Sequence, residues 1–178
     1  MITKEIIQAY VSGEKHGFDK IYESYSSGMF MICLRYTRCN DDAQDVLQEA
    51  FIRIYNKRSS FDVERPIGPW IKTIVIRTAL NYIKENYRFD LTSDESYFDQ
   101  ASIEEPVDED QGLKAKLLEV LNKLPDGYRT VFNLYTIDNL THKEIAQYLG
   151  VSEGTSKSQY SKAKKMIKEL LQPEKVAS

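Results

Sequence analysis

Lys157, Lys162, Lys164, Lys165 and Lys168 crowd one short stretch, with no acid between Lys157 and Lys168. Small polar residues (Ser152, Thr155, Ser156) lead into it, and Gln159 lies within it. Side chains of these kinds do no covalent chemistry unaided. Ammonium groups neutralise phosphates, and hydroxyls or amides hydrogen-bond base edges, so the chemistry on offer is nucleic-acid recognition. A second set is Thr73, Arg77, Asn81, Lys84 and Arg88, three or four residues apart. Such a row can follow a phosphate backbone while its amide and hydroxyl meet bases. Ahead of it, Lys57, Arg58, Ser59, Ser60 and Phe61 combine cations, hydroxyls and an aromatic, a mixture suited to an unstacked base. Ordinary solvent exposure also produces a polar helix face beside a polar loop, and the row alone does not separate the two. The third set has the opposite sign. Asp41, Asp42, Asp45, Gln48 and Glu49 form an acidic and amide ridge that suits a basic protein partner and not DNA. Asp45 and Glu49 lie beyond the first turn, where carboxylates merely answer the helix dipole.

Sets that could run catalysis are missing. His16 and His142 are the only histidines, and His142, just behind Thr141, is expected to face solvent. There is no glycine-rich phosphate loop, HExxH pair or nucleophile elbow. No enzyme is expected, and no cofactor or metal. Cys33 and Cys39, the only cysteines, cannot complete a metal site and are expected as buried, reduced thiols in a cytoplasmic protein. No run of ~18 apolar residues appears, so no membrane insertion is expected.

The lysine cluster needs a rigid mount, and the residues before it supply one. Thr141 with Glu144 reads as a capping box opening a helix, and Ile145, Ala146 and Leu149 share its inner face. Gly150 stands where a helix ends in a left-handed residue. Val151 plugs the turn, and Ser152 caps a second, basic helix. This is a helix-turn-helix whose second helix suits the major groove. Further upstream, Leu113, Leu117, Leu118, Leu121 and Leu124 mark a helix that breaks at Pro125, and another surrounds Val131, Phe132 and Tyr135.

Three or four more helices are expected in the first half. Phe18, Ile21, Tyr22, Tyr25, Met29, Ile32, Cys33 and Tyr36 make one long apolar stripe. Asn40 or Asp41 should cap the next helix, with Val46, Leu47, Ala50, Phe51, Ile54 and Tyr55 inward. Lys57 to Gly68 reads as a loop. A third helix after Pro69 turns Trp70, Ile71, Ile74, Val75, Thr78, Ala79, Tyr82 and Ile83 inward. Period-two alternation is lacking, so the fold class is all-α.

Charge separates the two halves. Residues 1–89 carry a net +2, residues 90–110 a net −9 with no Lys or Arg, and residues 111–178 a net +4. The chain's overall −3 therefore belongs to one acidic stretch between two mildly basic domains. The expected layout is two small helical domains, 1–89 and 111–178, joined by a flexible linker at 90–110. That linker is either a solvated tether or a negative strand for a positive channel on a partner.

These residues resemble a known family, the extracytoplasmic-function group of bacterial RNA polymerase sigma factors. DDAQDVLQEAFIRIY resembles the family's clamp-docking helix, and PWIKTIVIRTALNYIK its promoter-melting helix. LPDGYRTVFNLY with LTHKEIAQYLGVSEGTSKSQYSKAKKMIKELL resembles the domain that reads the upstream promoter element. The resemblance spans about residues 18–171. It implies that Asp42, Asp45, Gln48 and Glu49 contact core RNA polymerase. Arg58, Ser59, Ser60, Phe61, Arg77, Asn81 and Lys84 would bind the minus-ten element of promoter DNA and its melted strand. Ser152, Thr155, Ser156, Lys157 and Gln159, with Lys162 and Lys164, would face the minus-thirty-five element. The acidic linker would then thread the polymerase near its RNA path. An anti-sigma factor is admitted as a further partner, covering the ridge or wedged between the halves. Arg77 stands where many members have Asn, Ser156 replaces a usual Val, Gln159 a usual Arg, and Ser161 a frequent His or basic residue. Gln suits adenine where Arg reads guanine, so a less guanine-dependent upstream element is expected. The competing reading is an operator-binding regulator that needs no polymerase and no acidic ridge.

Overall fold

A computed structural model describes residues 2–37, 39–86 and 109–171, which are helical apart from short connections. The chain divides into two compact units, Met1–Tyr87 and Arg88–Ser178. Arg88 and all of the acidic stretch except its last two residues lie outside the described residues, while Glu109 and Asp110 begin a helix. Among the described residues no helix is long and apolar enough to cross a membrane.

The first unit holds α1 (Lys4–Ser12), α2 (Lys15–Tyr36), α3 (Asn40–Asn56), a 3-10 turn (Arg58–Ser60) and α4 (Ile67–Asn86). Sequence periodicity did not reveal α1. It is bounded by Thr3, whose hydroxyl accepts from the Ile6 amide, and by Gly13 in the left-handed region at φ 88°. Helix α2 docks closely on it, because a Cβ at Gly17 would lie 2.3 Å from the Tyr10 backbone nitrogen. Ile21, Cys33, Tyr36, Val46, Ala50, Ile54, Ile71, Val75, Ala79 and Ile83 make the core. Their burial is what the apolar stripes require. Burial also pushes the Cys33 thiol up to about 12, leaving it protonated.

Four expectations change here. The cap of α3 is neither Asn40 nor Asp41 but Cys39, half-buried, whose sulfur accepts from the Asp42 amide at 3.4 Å. The helix simply starts earlier than its charges suggest. Helix α4 opens at Ile67, ahead of Pro69, because a first turn has no use for the missing N–H. Tyr22 and Tyr55, assigned inward, are 43% and 36% exposed. Leu117 is likewise 42% exposed, while Leu118, Leu121 and Leu124 are buried.

The second unit holds α5 (Glu109–Asn122), α6 (Asp126–Phe132), a π-helical turn (Asn133–Ile137), α7 (His142–Leu149) and α8 (Glu153–Leu171). Its core joins Leu121, Leu124, Tyr128 and Ala163, flanked by Phe132, Ile137, Met166 and Ile167. Arg129 is nearly fully enclosed, donating to Asp126 at 2.8 Å and to Asn122 at 3.1 Å. The capping box forms as expected. Thr141 Oγ1 accepts from the Glu144 amide, and Glu144 Oε2 accepts from the Thr141 amide at 2.8 Å. Gly150 closes α7 at φ 71°, and Ser152 Oγ accepts from the Thr155 amide at 2.9 Å. Removing the cap with Thr141→Ala should cost about 1 kcal/mol, read as a lower urea midpoint for this unit.

Candidate nucleic-acid interface

In the first unit, α4 presents one face to solvent. Thr73, Arg77, Asn81 and Lys84 are exposed on it, opposite buried Ile71, Ile74, Val75, Thr78 and Ile83. A cleft of about 490 Å³ opens where this helix meets the preceding loop. Ser60, Phe61, Asp62, Arg65, Pro66, Pro69, Trp70 and Thr73 line it. Its size falls within the ~300–1,000 Å³ typical of small-ligand sites. Phe61 and Trp70 pack with ring centroids 5.0 Å apart, so an aromatic wall stands behind polar rim groups. Phe61 is itself buried, which makes it a backing for the cleft and not a free stacking platform.

Ser59 and Ser60 are exposed on the 3-10 turn, and Ser60 Oγ donates to the Lys57 carbonyl at 2.7 Å. Arg58 departs from expectation. Its guanidinium lies 4.2 Å from the centre of the Tyr55 ring and donates to the Tyr55 carbonyl at 2.9 Å. It is folded back against its own unit.

The ridge on α3 is split. Asp45, Gln48 and Glu49 are exposed, and Glu49 accepts from Arg53 at 2.7 Å. Asp42 is half-buried and accepts from the Tyr82 hydroxyl at 2.8 Å, so it fastens α3 to α4 instead of completing the ridge. Beside the exposed part runs an apolar groove of about 620 Å³. Phe18, Tyr22, Phe51, Ile52 and Tyr55 line it, with Gln48 at its edge. Ile52 is 56% exposed. Four residues beyond Gln48, it shares the helix face of Gln48 and Glu49, and that spacing was the signal available in the sequence. Acid and amide groups beside open apolar surface are the composition of a protein-docking site.

In the second unit the outer side of α8 carries the cations. Lys157, Lys162, Lys164, Lys165 and Lys168 are all exposed, as are Ser152, Ser158 and Ser161, with Thr155 half-exposed. Lys164 lies 4.8 Å from the Tyr160 ring centre, and Lys157 pairs with Glu153 at 2.7 Å. Ser156 and Gln159 do not belong to this face. Both are buried, and with Ala163 they form the inner stripe of α8 at steps of three and four. Their polarity disguised an inward face. The expectation of an adenine-reading Gln159, and of a less guanine-dependent element resting on it, falls with its burial.

His142 corrects the expectation too. Its ring stacks on Tyr135 at 4.4 Å and 17°, meets Tyr160 edge-on, and places Nδ1 2.9 Å from Ser156 Oγ. The imidazole thereby ties α7 to α8 through the buried serine. Burial first, then the Lys157 charge, lowers its pKa below the ordinary 6.5, with Glu153 opposing. The unfolded chain therefore takes up a proton at higher pH than the folded one. The stability from neutral His142 is complete above 6.5 and is lost as pH falls through the folded-state value. Urea midpoints of the second unit at about pH 7.5 and about pH 5.5 should differ in that direction, and His142→Gln should shrink the difference.

The family models describe these two units. "Sigma-70 region 2" matches residues 21–89, and "Sigma-70, region 4" matches residues 114–167. The ECF RNA polymerase sigma factor SigW of Bacillus subtilis (strain 168) is 29% identical, covering 96% of this chain and 97% of SigW. The ECF RNA polymerase sigma-E factor of Escherichia coli (strain K12) is 25% identical over 94% of this chain and 93% of its own length. Among solved structures, RpoE in complex with the anti-sigma factor NepR from Bartonella quintana aligns with TM-score 0.55 at 20% identity, covering 89% of this chain and 98% of that one. CnrH in complex with the cytosolic domain of CnrY aligns with TM-score 0.53 at 21% identity, covering 94% and 96%. With both sigma-70 regions in this order and ECF sigma factors aligned along nearly the whole of it, the chain belongs to the extracytoplasmic-function sigma factors, which direct RNA polymerase to promoters.

Proposed function

We propose that the two units divide promoter recognition between them in the cytoplasm, with the acidic stretch 90–110 as their tether. The exposed Asp45, Gln48 and Glu49, with Ile52 and the apolar groove beside them, dock on a basic surface of core polymerase. Apolar area anchors such an interface, and charge orients it. Ser59, Ser60, Arg77, Asn81 and Lys84 hold the minus-ten element, and one unpaired base enters the cleft before Trp70. Aromatic and polar contacts to one base contribute ~1–3 kcal/mol, comparable to the cost of unstacking it. Ser152, Thr155, Lys157, Ser158, Ser161, Lys162 and Lys164 face the minus-thirty-five element. No covalent step is involved, because binding energy from three contacts offsets strand opening. The observation that carries this reading is the cleft bounded by the exposed polar rows of the turn and α4. CnrH was captured with the cytosolic domain of CnrY, and RpoE with the anti-sigma factor NepR. The exposed groove of the first unit is the place for a protein partner of this kind on this chain.

Transcription from fragmented genomic DNA by core polymerase plus this chain tests the reading. Discrete start sites preceded by two short elements at a fixed separation are expected. Starts no different from those of core polymerase alone would refute it.

A further inference from the structure

Helix α1 lies outside the stretch that the region 2 model matches, yet it touches the turn beside the cleft. Tyr10 is completely buried, and its hydroxyl donates to the Ile54 carbonyl at 2.6 Å. Ile54 lies in the last turn of α3, where carbonyls lack an intrahelical donor. The next carbonyl, Tyr55, is taken by Arg58 Nη1. Two side chains, one from α1 and one from the turn, thus close the end of α3 together. Burial raises the Tyr10 pKa, and the Arg58 charge opposes that rise. Gly13, at the end of α1, completes the enclosure. A Cβ there would sit 3.2 Å from Arg58 Nε, so the guanidinium lies against the glycine on one side and the Tyr55 ring on the other. From Arg58 the 3-10 turn runs on to the cleft. The Ser60 amide donates to Lys57, and the Phe61 amide donates to the Arg58 carbonyl at 3.1 Å. Ser60 and Phe61 then line the cleft.

We propose that α1 is a positioning element for promoter opening: Gly13 encloses Arg58, and Tyr10 closes the same helix end that Arg58 caps, so that together they keep the turn Arg58–Ser60 in the shape that receives the unpaired base. Arg58 is a positioning residue in this account, acting on DNA through Ser59, Ser60 and the cleft wall. The inference rests on the cleft being the base-receiving site.

The test uses full-length chain in complex with core polymerase and a single-stranded minus-ten oligonucleotide. One base at a time is replaced by an abasic site. For wild type, one position should cost roughly tenfold in affinity, the worth of one held base. Tyr10→Phe removes only a hydroxyl, and Arg58→Ala removes the guanidinium. With either variant the abasic penalty should shrink to about twofold or less, while affinity for core polymerase stays as in wild type for Tyr10→Phe. A merely structural role lowers affinity for intact and abasic strands equally and leaves the tenfold ratio in place. That outcome overturns the positioning role alone. A wild type insensitive to every abasic site overturns the base-receiving cleft, and the positioning role with it.

Discussion

Replacing Asp45 and Glu49 by lysine should reduce association with core RNA polymerase by about 100-fold or more. Both carboxylates are exposed on one face of α3, beside Gln48 and Ile52. Against a basic partner, each reversal removes an attraction and adds a repulsion, and like charges juxtaposed at an interface cost several kcal/mol. The fold should tolerate the change. Glu49 bridges to Arg53 at 2.7 Å, with the two side chains 49% and 39% exposed. Screened pairs of that kind contribute ~0–1 kcal/mol. Co-migration with core polymerase on a sizing column, alongside circular dichroism of the free chain, checks both halves of the expectation. Undiminished co-migration would show that the ridge is not the docking face. An operator-binding regulator would co-migrate neither as wild type nor as the variant.

Arg129→Met should destabilise the second unit by ~3–5 kcal/mol and leave the first untouched. Arg129 is 1% exposed and its partner Asp126 has a side chain only 12% exposed, so the pair is shielded from water. Removing the cation leaves a carboxylate enclosed without its charge partner, and Asn122 loses a donor as well. The unit that carries α8 would then lose a large part of its stability. The single tryptophan makes the units separately readable, because Trp70 lies in the first. Under urea, the loss of helical dichroism from the second unit should shift to lower concentration, with the Trp70 fluorescence transition in place. If both transitions moved together, or neither moved, the Arg129–Asp126 pair would not be what holds α6.

How much of this was legible in the residues depends on how local the cause is. Thr141, Glu144, Gly150 and Ser152 act within four residues of themselves, and the helix-turn-helix they announce is the one that forms. Apolar stripes gave the inner faces of α3 and α4 for the same reason. Failures occur where a distant contact decides. Ser156 is inside because His142, stacked on Tyr135, reaches it across the turn, and Gln159 is buried on the same inner stripe; no spacing rule in α8 shows that. Asp42 faces Tyr82 across forty residues of sequence. Tyr22, Tyr55 and Ile52 illustrate another limit. Periodicity identifies an apolar face but cannot distinguish one covered by its own chain from one left open for a partner. Helix α1 escaped because it is short, and what fixes it lies in α2 and at the end of α3.

Division of labour between the two units is the central claim, and site-specific cross-linking on an opened promoter tests it most directly. Asn81 and Lys157 are each replaced by a photo-crosslinking residue in chain assembled with core polymerase. Position 81 should mark the melted strand within the minus-ten element, and position 157 the duplex at the minus-thirty-five element. Cross-links at a shared site, or at position 157 without any at position 81, would contradict it.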